Sequence, residues 1–184
     1  MSLVGVILAE GFEEVEAVTP IDFLRRAGID VVTVALMELQ VRGAHGITVA
    51  ADTSLDRFPE EADAILIPGG MPGSANIADS GIVRDLVRRF DDQGRLVAAI
   101  CAAPALVVGG AGILKGRDFT CFPGMEEQAG EGGRYTGDMV TVDGNLITAC
   151  GAGAAAEFSQ AVIAYLTDNE NALRIMKTTC QKGY

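Results

Sequence analysis

Short apolar segments alternate with helical segments along most of this chain, and this alternation limits the folds that it can adopt. Apolar runs without polar alternation are typical of strands buried on both faces, which occur in parallel sheets covered by helices. Ligand sites in such sheets lie at the carboxyl ends of the strands. The predicted strands of this kind are Leu3–Leu8, Asp30–Ala35, Ala64–Ile67 and Leu96–Ile100.

Helices, hairpins and loops fill the rest of the pattern. A helix is predicted over 14–27, because apolar residues recur there at helical spacing and Gly28 follows as a stop signal. After the loop 68–74, the next helix is expected to start only around Ser80. Further helices are predicted over 82–90, 153–166 and 169–177, hairpins over 40–50 and 140–148, and a short strand over 118–120.

Length, charge and cysteine usage restrict the class of protein. At 184 residues the chain fits a single domain, 1–184, with a sizeable core. The formal net charge of −11 argues against nucleic acid and against an anionic membrane as partners. The four cysteines form no C-x-x-C pair, so no metal site is expected. Without a signal peptide or a membrane-spanning run, we expect a cytoplasmic protein with reduced thiols.

Cys101 lies where the predicted strand Leu96–Ile100 ends and a helix with Pro104 near its start begins. A sulfur at such a junction faces free backbone N–H groups and the positive end of a helix dipole. Both features favour the thiolate, which is the nucleophilic form of cysteine. The alternative from these residues alone is a structural cysteine, packed as a small hydrophobic side chain.

Two further segments follow strand ends and are expected near Cys101: the acidic segment after the first strand and the Pro-Gly-Gly loop after the third. Glu16 is the candidate acid partner, because a protonated carboxyl group can donate to the sulfur and move a proton during catalysis. The alternative is that Glu13, Glu14 and Glu16 are solvated acids, which are favoured at a helix N-terminus.

The Pro-Gly-Gly loop also offers backbone donors. Gly69 and Gly70 permit close approach, and their N–H groups, with that of Ala102, are predicted to form a small oxyanion hole. The loop lacks the G-x-G-x-x-G pattern, so we expect no dinucleotide site. The single histidine, His45, falls in a predicted hairpin turn, where a solvent-exposed residue without a role is the ordinary interpretation.

At this point the motifs become recognisable. The chain resembles the ThiJ/PfpI superfamily, in the branch of the Parkinsonism-associated deglycase and glyoxalase and its bacterial relatives. The resemblance runs from Leu3 to about Leu166 and depends on the order of AEGFEEVE at 9–16, RRAG at 25–28, PGG at 68–70 and AAICA at 98–102.

The resemblance implies a flavodoxin-like three-layer α/β/α sandwich with a mostly parallel central sheet, assembled as a homodimer. It implies that Cys101 is the nucleophile and redox-sensitive thiol, Glu16 its acid partner, and Gly70 and Ala102 the backbone donors. Members of this branch are described as cofactor-independent glyoxalases or deglycases that act on methylglyoxal or its adducts, with a role in oxidative stress.

The chain departs from the family pattern at several positions. Phe122 stands where many relatives have a histidine near the reactive cysteine, and Cys150 stands where relatives often carry an arginine. His45 replaces an arginine on a hairpin that lies near the dimer partner in relatives, so His45 is a candidate contributor to the partner subunit's site. Ala102 replaces the histidine of the peptidase-like branch, which argues against a Cys-His-Glu peptidase.

Two functions remain open from the sequence. In the first, the Cys101 thiolate attacks the aldehyde of methylglyoxal and Glu16 moves a proton between the substrate carbons. In the second, the protein is a sensor or chaperone-like protein whose Cys101 oxidises to a sulfinate without turnover. A side hypothesis makes Cys121 the resolving thiol for Cys101.

Overall fold

The structure is a computed structural model that describes residues 2–182. Its strands are β1 (Leu3–Leu8), β2 (Asp30–Ala35), β3 (Gln40–Arg42), β4 (Thr48–Ala50), β5 (Thr53–Ser54), β6 (Ala64–Ile67), β7 (Leu96–Ile100), β8 (Asp118–Phe119), β9 (Arg134–Tyr135), β10 (Val140–Asp143) and β11 (Leu146–Ala149). Its α-helices are α1 (Glu14–Arg26), α2 (Gly73–Asp79), α3 (Gly81–Asp92), α4 (Gly109–Ala111), α5 (Ala155–Leu166) and α6 (Asn169–Thr178). The single domain predicted over 1–184 also includes residues 1, 183 and 184, which lie outside the described residues.

Within the described chain, seven strands form one sheet in the order β10-β11-β7-β6-β1-β2-β5. Every neighbouring pair is parallel except β10 with β11, which form an antiparallel hairpin. Helices α1, α5 and α6 pack on one face, and α2, α3 and the helical segment after β7 pack on the other. The predicted three-layer α/β fold is therefore confirmed.

Strand β7 illustrates why these apolar runs become central strands. Leu96, Ala98 and Ile100 pack into the core layer that contains α1 and α5, while Val97 and Ala99 pack into the opposite layer. All five side chains are fully buried. Burial of each large aliphatic side chain stabilises the fold by ~1.5–3 kcal/mol, so this strand is held from both faces.

Most predicted elements are confirmed, with boundaries that differ by one or two residues. The expectation that the next helix after the third strand begins only around Ser80 was wrong, because α2 already starts at Gly73. The strand predicted over 118–120 exists as β8, but it pairs with β9 outside the main sheet. Strands β5 and β9 were not predicted, and each of them is only two residues long.

The parallel strands bring their carboxyl ends to one edge of the sheet. The chain leaves β1 toward α1, leaves β6 through the loop around Gly70, and leaves β7 at Cys101. Strands β1, β6 and β7 are neighbours, so these three exits are adjacent. None of the helices in the described chain combines the length and the apolarity that crossing a bilayer requires.

Candidate active site

Cys101 follows the last residue of β7 and has a left-handed backbone conformation, with φ of 66°. Two hydrogen bonds fix this conformation: its N–H donates to the Ala149 carbonyl at 2.8 Å, and its carbonyl accepts from the Phe122 N–H at 2.8 Å. A non-glycine residue in this region costs ~1–3 kcal/mol, so the surrounding fold must impose it. The conformation leaves the thiol half-buried at the sheet edge rather than sealed in the core.

Glu16 approaches this thiol from the first turn of α1. Its side chain is only 1% exposed, and it forms a hydrogen bond with the Cys101 side chain. Its Oε2 atom accepts a hydrogen bond from the Gly69 N–H at 2.9 Å. The alternative of solvated acids at the helix N-terminus was therefore wrong for Glu16, and for Glu14, which is 5% exposed.

The glycines of the loop after β6 permit the contact between thiol and carboxyl group. A Cβ atom at Gly69 would overlap with Oε2 of Glu16 and would lie 2.5 Å from Cβ of Cys101. Gly70 has φ of 91°, and its N–H and that of Ala102 form hydrogen bonds with the Cys101 sulfur. Of the donors expected for an oxyanion hole, the Gly69 N–H already bonds to Glu16, so Gly70 and Ala102 remain, and the hole itself stays a prediction.

Burial and mutual repulsion control the protonation of this pair. Burial raises the pKa of Glu16 to about 7, although the hydrogen bonds with Cys101 and Gly69 lower it in part. Burial, and then the negative charge of Glu16, raise the pKa of Cys101 to about 12, although the N–H groups of Gly70 and Ala102 lower it. Because two such groups resist joint ionisation, the pair releases its first proton near pH 7 and keeps the second one well above that pH.

Burial and the charge of Glu16 therefore oppose the backbone N–H groups and the helix end that were expected to favour the Cys101 thiolate. The segment after Cys101 is a π-helical stretch, Pro104–Val108, continued by the three residues of α4. So short and irregular a helix has little dipole to offset burial beside a carboxylate. The thiolate forms when the shared proton lies on Glu16, which then donates to the sulfur.

A second acidic cluster lies at the N-terminus of α1, on the side that faces the β3–β4 hairpin. Oε1 of Glu14 accepts from the backbone N–H groups of His45 (2.8 Å) and Ile47 (3.2 Å), and its Oε2 lies 3.1 Å from Nδ1 of His45. Oε2 of Glu13 is 3.3 Å from the same nitrogen. A Cβ atom at Gly43 would overlap with the Glu14 carboxylate, so this glycine provides the space for it.

The charges in this cluster are stabilised mutually. Burial raises the pKa of Glu14, but hydrogen bonds with its own backbone, with the His45 ring and with the N–H groups of His45 and Ile47 lower it to about 2. The hydrogen bond to Glu14 and the charges of Glu13 and Glu14 raise the pKa of His45. His45 is exposed as expected, with 70% of its side chain accessible, but its ring contacts Glu13 and Glu14. Its contribution to a partner subunit stays a prediction.

The described residues 2–182 contain a group of side chains that could in principle hold a metal ion. It consists of Glu13, Glu14 and His45, whose ligand atoms lie within 4.8 Å of one another. The ion pairs and hydrogen bonds among these groups account for their positions without a cation. The sequence signal for this cluster was the acidic run after β1, but its partners could not be identified, because they lie on a hairpin about thirty residues later.

Phe122 and Cys150, at which the sequence is expected to depart from the family pattern, lie at the mouth of the site. Phe122 is 49% exposed, and a Cβ atom at Gly151 would lie 3.6 Å from its ring and 3.9 Å from Oε1 of Glu16. Cys150 is half-buried, with its sulfur 3.6 Å from Sδ of Met139. The mouth therefore presents an aromatic ring and sulfur atoms next to the Glu16 carboxyl group.

Fold and site together define a flavodoxin-like α/β protein with a thiol–carboxyl pair at the carboxyl ends of parallel strands. The chain belongs to the DJ-1/PfpI family, which matches residues 3–165. The resemblance inferred from the motifs is thereby confirmed.

Three relatives illustrate how similar the chain is to known members of this family. Protein DJ-1 homolog B of Arabidopsis thaliana is 39% identical over 91% of this chain, which spans only 39% of that longer protein. Deglycase PH1704 of Pyrococcus horikoshii is 31% identical over 77% of this chain and 86% of its own length. The solved structure of oxidised Toxoplasma gondii DJ-1 superposes with a TM-score of 0.94 at 35% identity, covering 99% of this chain and all of that one.

Proposed function

We propose that this protein is a cofactor-independent, cysteine-dependent glyoxalase or deglycase that acts on methylglyoxal or its adducts. The observation that carries the proposal is the contact of the Cys101 thiol with the buried Glu16 carboxyl group. Such a pair supplies a nucleophile and a proton carrier, which are the groups that isomerisation of a 2-oxoaldehyde needs. The deglycase among the relatives supports the same chemistry.

The first step is addition of the Cys101 sulfur to the aldehyde carbon of methylglyoxal. A sulfur–carbon bond forms, the carbonyl π electrons move to oxygen, and that oxygen takes a proton to give a hemithioacetal. The N–H groups of Gly70 and Ala102, which contact the sulfur in the free protein, lie where they can support the negative charge as it moves to the adjacent oxygen.

In the second step Glu16 moves a proton between the two substrate carbons. Its carboxylate removes the proton from the carbon bonded to sulfur, giving an enediol, and returns a proton to the neighbouring carbon. The product is a lactoyl thioester of Cys101, and attack by water releases lactate and restores the thiol. A group with a pKa of about 7 suits this role, because it accepts and donates protons with similar ease at neutral pH.

Lactate production from methylglyoxal by the purified protein tests this proposal. Cys101→Ser and Glu16→Gln are each expected to lower the rate at least ~100-fold, since each removes a group that takes part in bond making or proton transfer. The matched controls are Cys180→Ser, at an exposed cysteine, and Glu170→Gln, at an exposed acid in the first turn of α6. Equal rates for all five proteins would refute the proposal.

A redox-sensing or chaperone-like role is the second candidate. It is favoured by the replacement of the family histidine by Phe122, which leaves the mouth of the site without an imidazole, and by the oxidised state of the Toxoplasma relative. In this role Cys101 is oxidised by peroxide and the protein produces no lactate. Absence of lactate together with selective oxidation of Cys101 would favour the sensor over the enzyme.

A homodimer in the cytoplasm completes the proposal. Val15 and Val18 lie three residues apart on α1 and are 49% and 47% exposed, and Ile47, whose N–H bonds to Glu14, is 59% exposed. Apolar residues grouped in this way favour a second copy as their cover.

The four unpaired cysteines of the described chain suit a reducing compartment. Light scattering of the wild type and of Val18→Glu tests the dimer, which the charged variant is expected to dissociate.

A further inference from the structure

Cys101 and Cys150 follow directly on two residues that are paired in adjacent strands. Ile100 of β7 and Ala149 of β11 are partners in the parallel register, and the Cys101 N–H continues the ladder to the Ala149 carbonyl at 2.8 Å. Neighbouring strands lie ~4.8 Å apart, which falls within the Cα separation of ~4.4–6.8 Å that a disulfide spans. The two cysteines therefore leave adjacent strands at the same level, where the spacing of the strands lies within the range that a disulfide spans.

The surroundings of Cys150 make its sulfur available. The residue is half-buried, its thiol is free, and its sulfur contacts the thioether of Met139 at 3.6 Å. This contact is weak, so rotation about the Cα–Cβ bond can release the sulfur from it. Cys101 and Cys150 also pack against the same core layer, the one that contains α1 and α5.

Cys121 lacks these properties. Its side chain is fully buried in the opposite core layer, and its sulfur donates to the Phe122 carbonyl at 3.5 Å. A disulfide between Cys101 and Cys121 would require the side chain to leave that layer, at the cost of a cavity in the core. The geometry thus disfavours the hypothesis that Cys121 is the resolving thiol.

We propose that Cys150 is the resolving thiol of Cys101, so that oxidation by a hydroperoxide ends in an intrachain Cys101–Cys150 disulfide. In the first step the Cys101 thiolate attacks the peroxide: a sulfur–oxygen bond forms, the O–O bond breaks, and Cys101 becomes a sulfenic acid while the peroxide is reduced to water or an alcohol. In the second step the Cys150 sulfur attacks the Cys101 sulfur. The S–S bond forms, hydroxide leaves and takes the Cys150 proton as water, and a dithiol reductant restores both thiols.

This reaction protects the nucleophile that the proposed enzyme depends on. A sulfenic acid without a nearby thiol is oxidised further to a sulfinate, which ordinary thiols do not reduce. The cysteine that replaces the family arginine would therefore make Cys101 oxidation reversible. The inference goes beyond the proposed function and concerns only sulfur chemistry, so loss of lactate production and loss of the disulfide are separate outcomes.

The test treats the purified full chain with hydrogen peroxide and follows its intact mass and its cysteine peptides. The wild type is expected to lose two hydrogens and to give a peptide that joins Cys101 to Cys150. In Cys150→Ser, Cys101 is expected to gain two oxygens, about tenfold faster than in the wild type, because no thiol intercepts the sulfenic acid. Cys121→Ser and Cys180→Ser are the matched controls and should form the disulfide like the wild type.

A measurement on the wild type alone keeps the proposal falsifiable if Cys150→Ser does not fold. After mild oxidation, Cys101 and Cys150 should become resistant to alkylation together and should recover together with dithiothreitol. The proposal is overturned if Cys101 gains two oxygens equally fast with and without Cys150, if Cys121 is the partner in the linked peptide, or if the disulfide joins two chains.

Discussion

Glu14 and Glu16 lie two residues apart in the first turn of α1, and both are almost fully buried, yet their pKa values are shifted in opposite directions. Hydrogen bonds with its own backbone and with the β3–β4 hairpin lower the pKa of Glu14 to about 2, while burial raises the pKa of Glu16 to about 7. Burial is the largest influence on both groups, so the difference comes from their partners. Glu14 faces backbone N–H groups and an imidazole, whereas Glu16 faces one N–H group, a thiol and the charge of Glu13.

Glu14 thus has the properties of a structural carboxylate, whereas Glu16 has those of a carboxyl group that can transfer a proton. A carboxylate that remains charged at every physiological pH fastens the β3–β4 hairpin to α1 but cannot carry a proton. A carboxyl group with a pKa near neutrality can carry one, at the cost of a less stable fold when it is charged. One turn of helix thus contains both types, which are distinguished by what the neighbouring loops present to each.

The largest expected effect is on catalysis. Glu16→Gln should reduce lactate formation ~100- to 10,000-fold, the range for a lost general acid–base group. Glu14→Gln, the matched variant two residues away, should leave the rate within about threefold, because its partners lie on the hairpin and not at Cys101. A loss of similar size in both variants would remove the distinction between the two carboxylates.

The pH dependence of stability should differ in sign between the two groups. The pKa of Glu14 is lowered from 4.5 to about 2, so its contribution is complete above about pH 4.5 and is lost as the pH falls through 2. The pKa of Glu16 is raised from 4.5 to about 7, so folding is progressively disfavoured as the pH rises from 4.5 to 7. The effect of Glu16 amounts to about 3 kcal/mol in the free energy of unfolding, and that of Glu14, whose charge is better screened by solvent, is smaller.

Urea unfolding between about pH 3 and pH 8 measures both effects. Glu16→Gln should be more stable than the wild type above pH 7 and similar to it below pH 4.5. Glu14→Gln should be less stable than the wild type at neutral pH, with a smaller difference at the lowest pH. Curves that run parallel to the wild type over the whole range would contradict the assigned shifts.

A smaller effect is expected from the glycine beside each carboxylate. Gly43→Ala and Gly69→Ala both place a methyl group against a carboxylate, and each should destabilise the fold by ~1–3 kcal/mol. Only Gly69→Ala should also lower lactate formation, because its methyl group would separate Glu16 from Cys101. Thermal unfolding and the lactate assay on the two variants check this, and full activity in Gly69→Ala would show that the thiol–carboxyl contact is dispensable.

The smallest effect is expected at His45, whose side chain is 70% exposed. His45→Gln keeps the backbone N–H that bonds to Glu14 and removes the charge, so stability should fall less than in Glu14→Gln. The difference from the wild type should shrink as the pH rises through the raised pKa of His45, because the imidazole then becomes neutral. Unfolding curves at several pH values measure it, and an effect that grows with pH would contradict the ion pair.

The sequence predicted the parts of the site that follow from strand ends. Apolar runs identified β1, β6 and β7, and the topology of parallel sheets then brought Glu16, Gly70 and Cys101 to one edge. The start of α2 was missed because Pro72 and Gly73 were interpreted as part of a loop. In the structure, the Gly73 and Ser74 N–H groups bond to Gly11 and Gly70, so tertiary contacts hold this short helix.

The protonation of the site could not be predicted from local pattern. A helix end after Cys101 favours a thiolate, but burial of the thiol and then the charge of Glu16 raise its pKa, and burial depends on the whole fold. The partners of Glu14 could not be predicted either, since Gly43 and His45 are remote in the sequence. What the sequence lacked in both cases was the identity of groups brought close by distant segments.

The rate of Cys101 alkylation as a function of pH, in the wild type and in Glu16→Gln, tests the central claim that the two side chains share one proton. The wild type is expected to show two steps, the first near pH 7 as the pair releases its first proton and the second well above it. Glu16→Gln should show a single step. A single step near the ordinary thiol value of ~8.5 in both proteins would contradict the account.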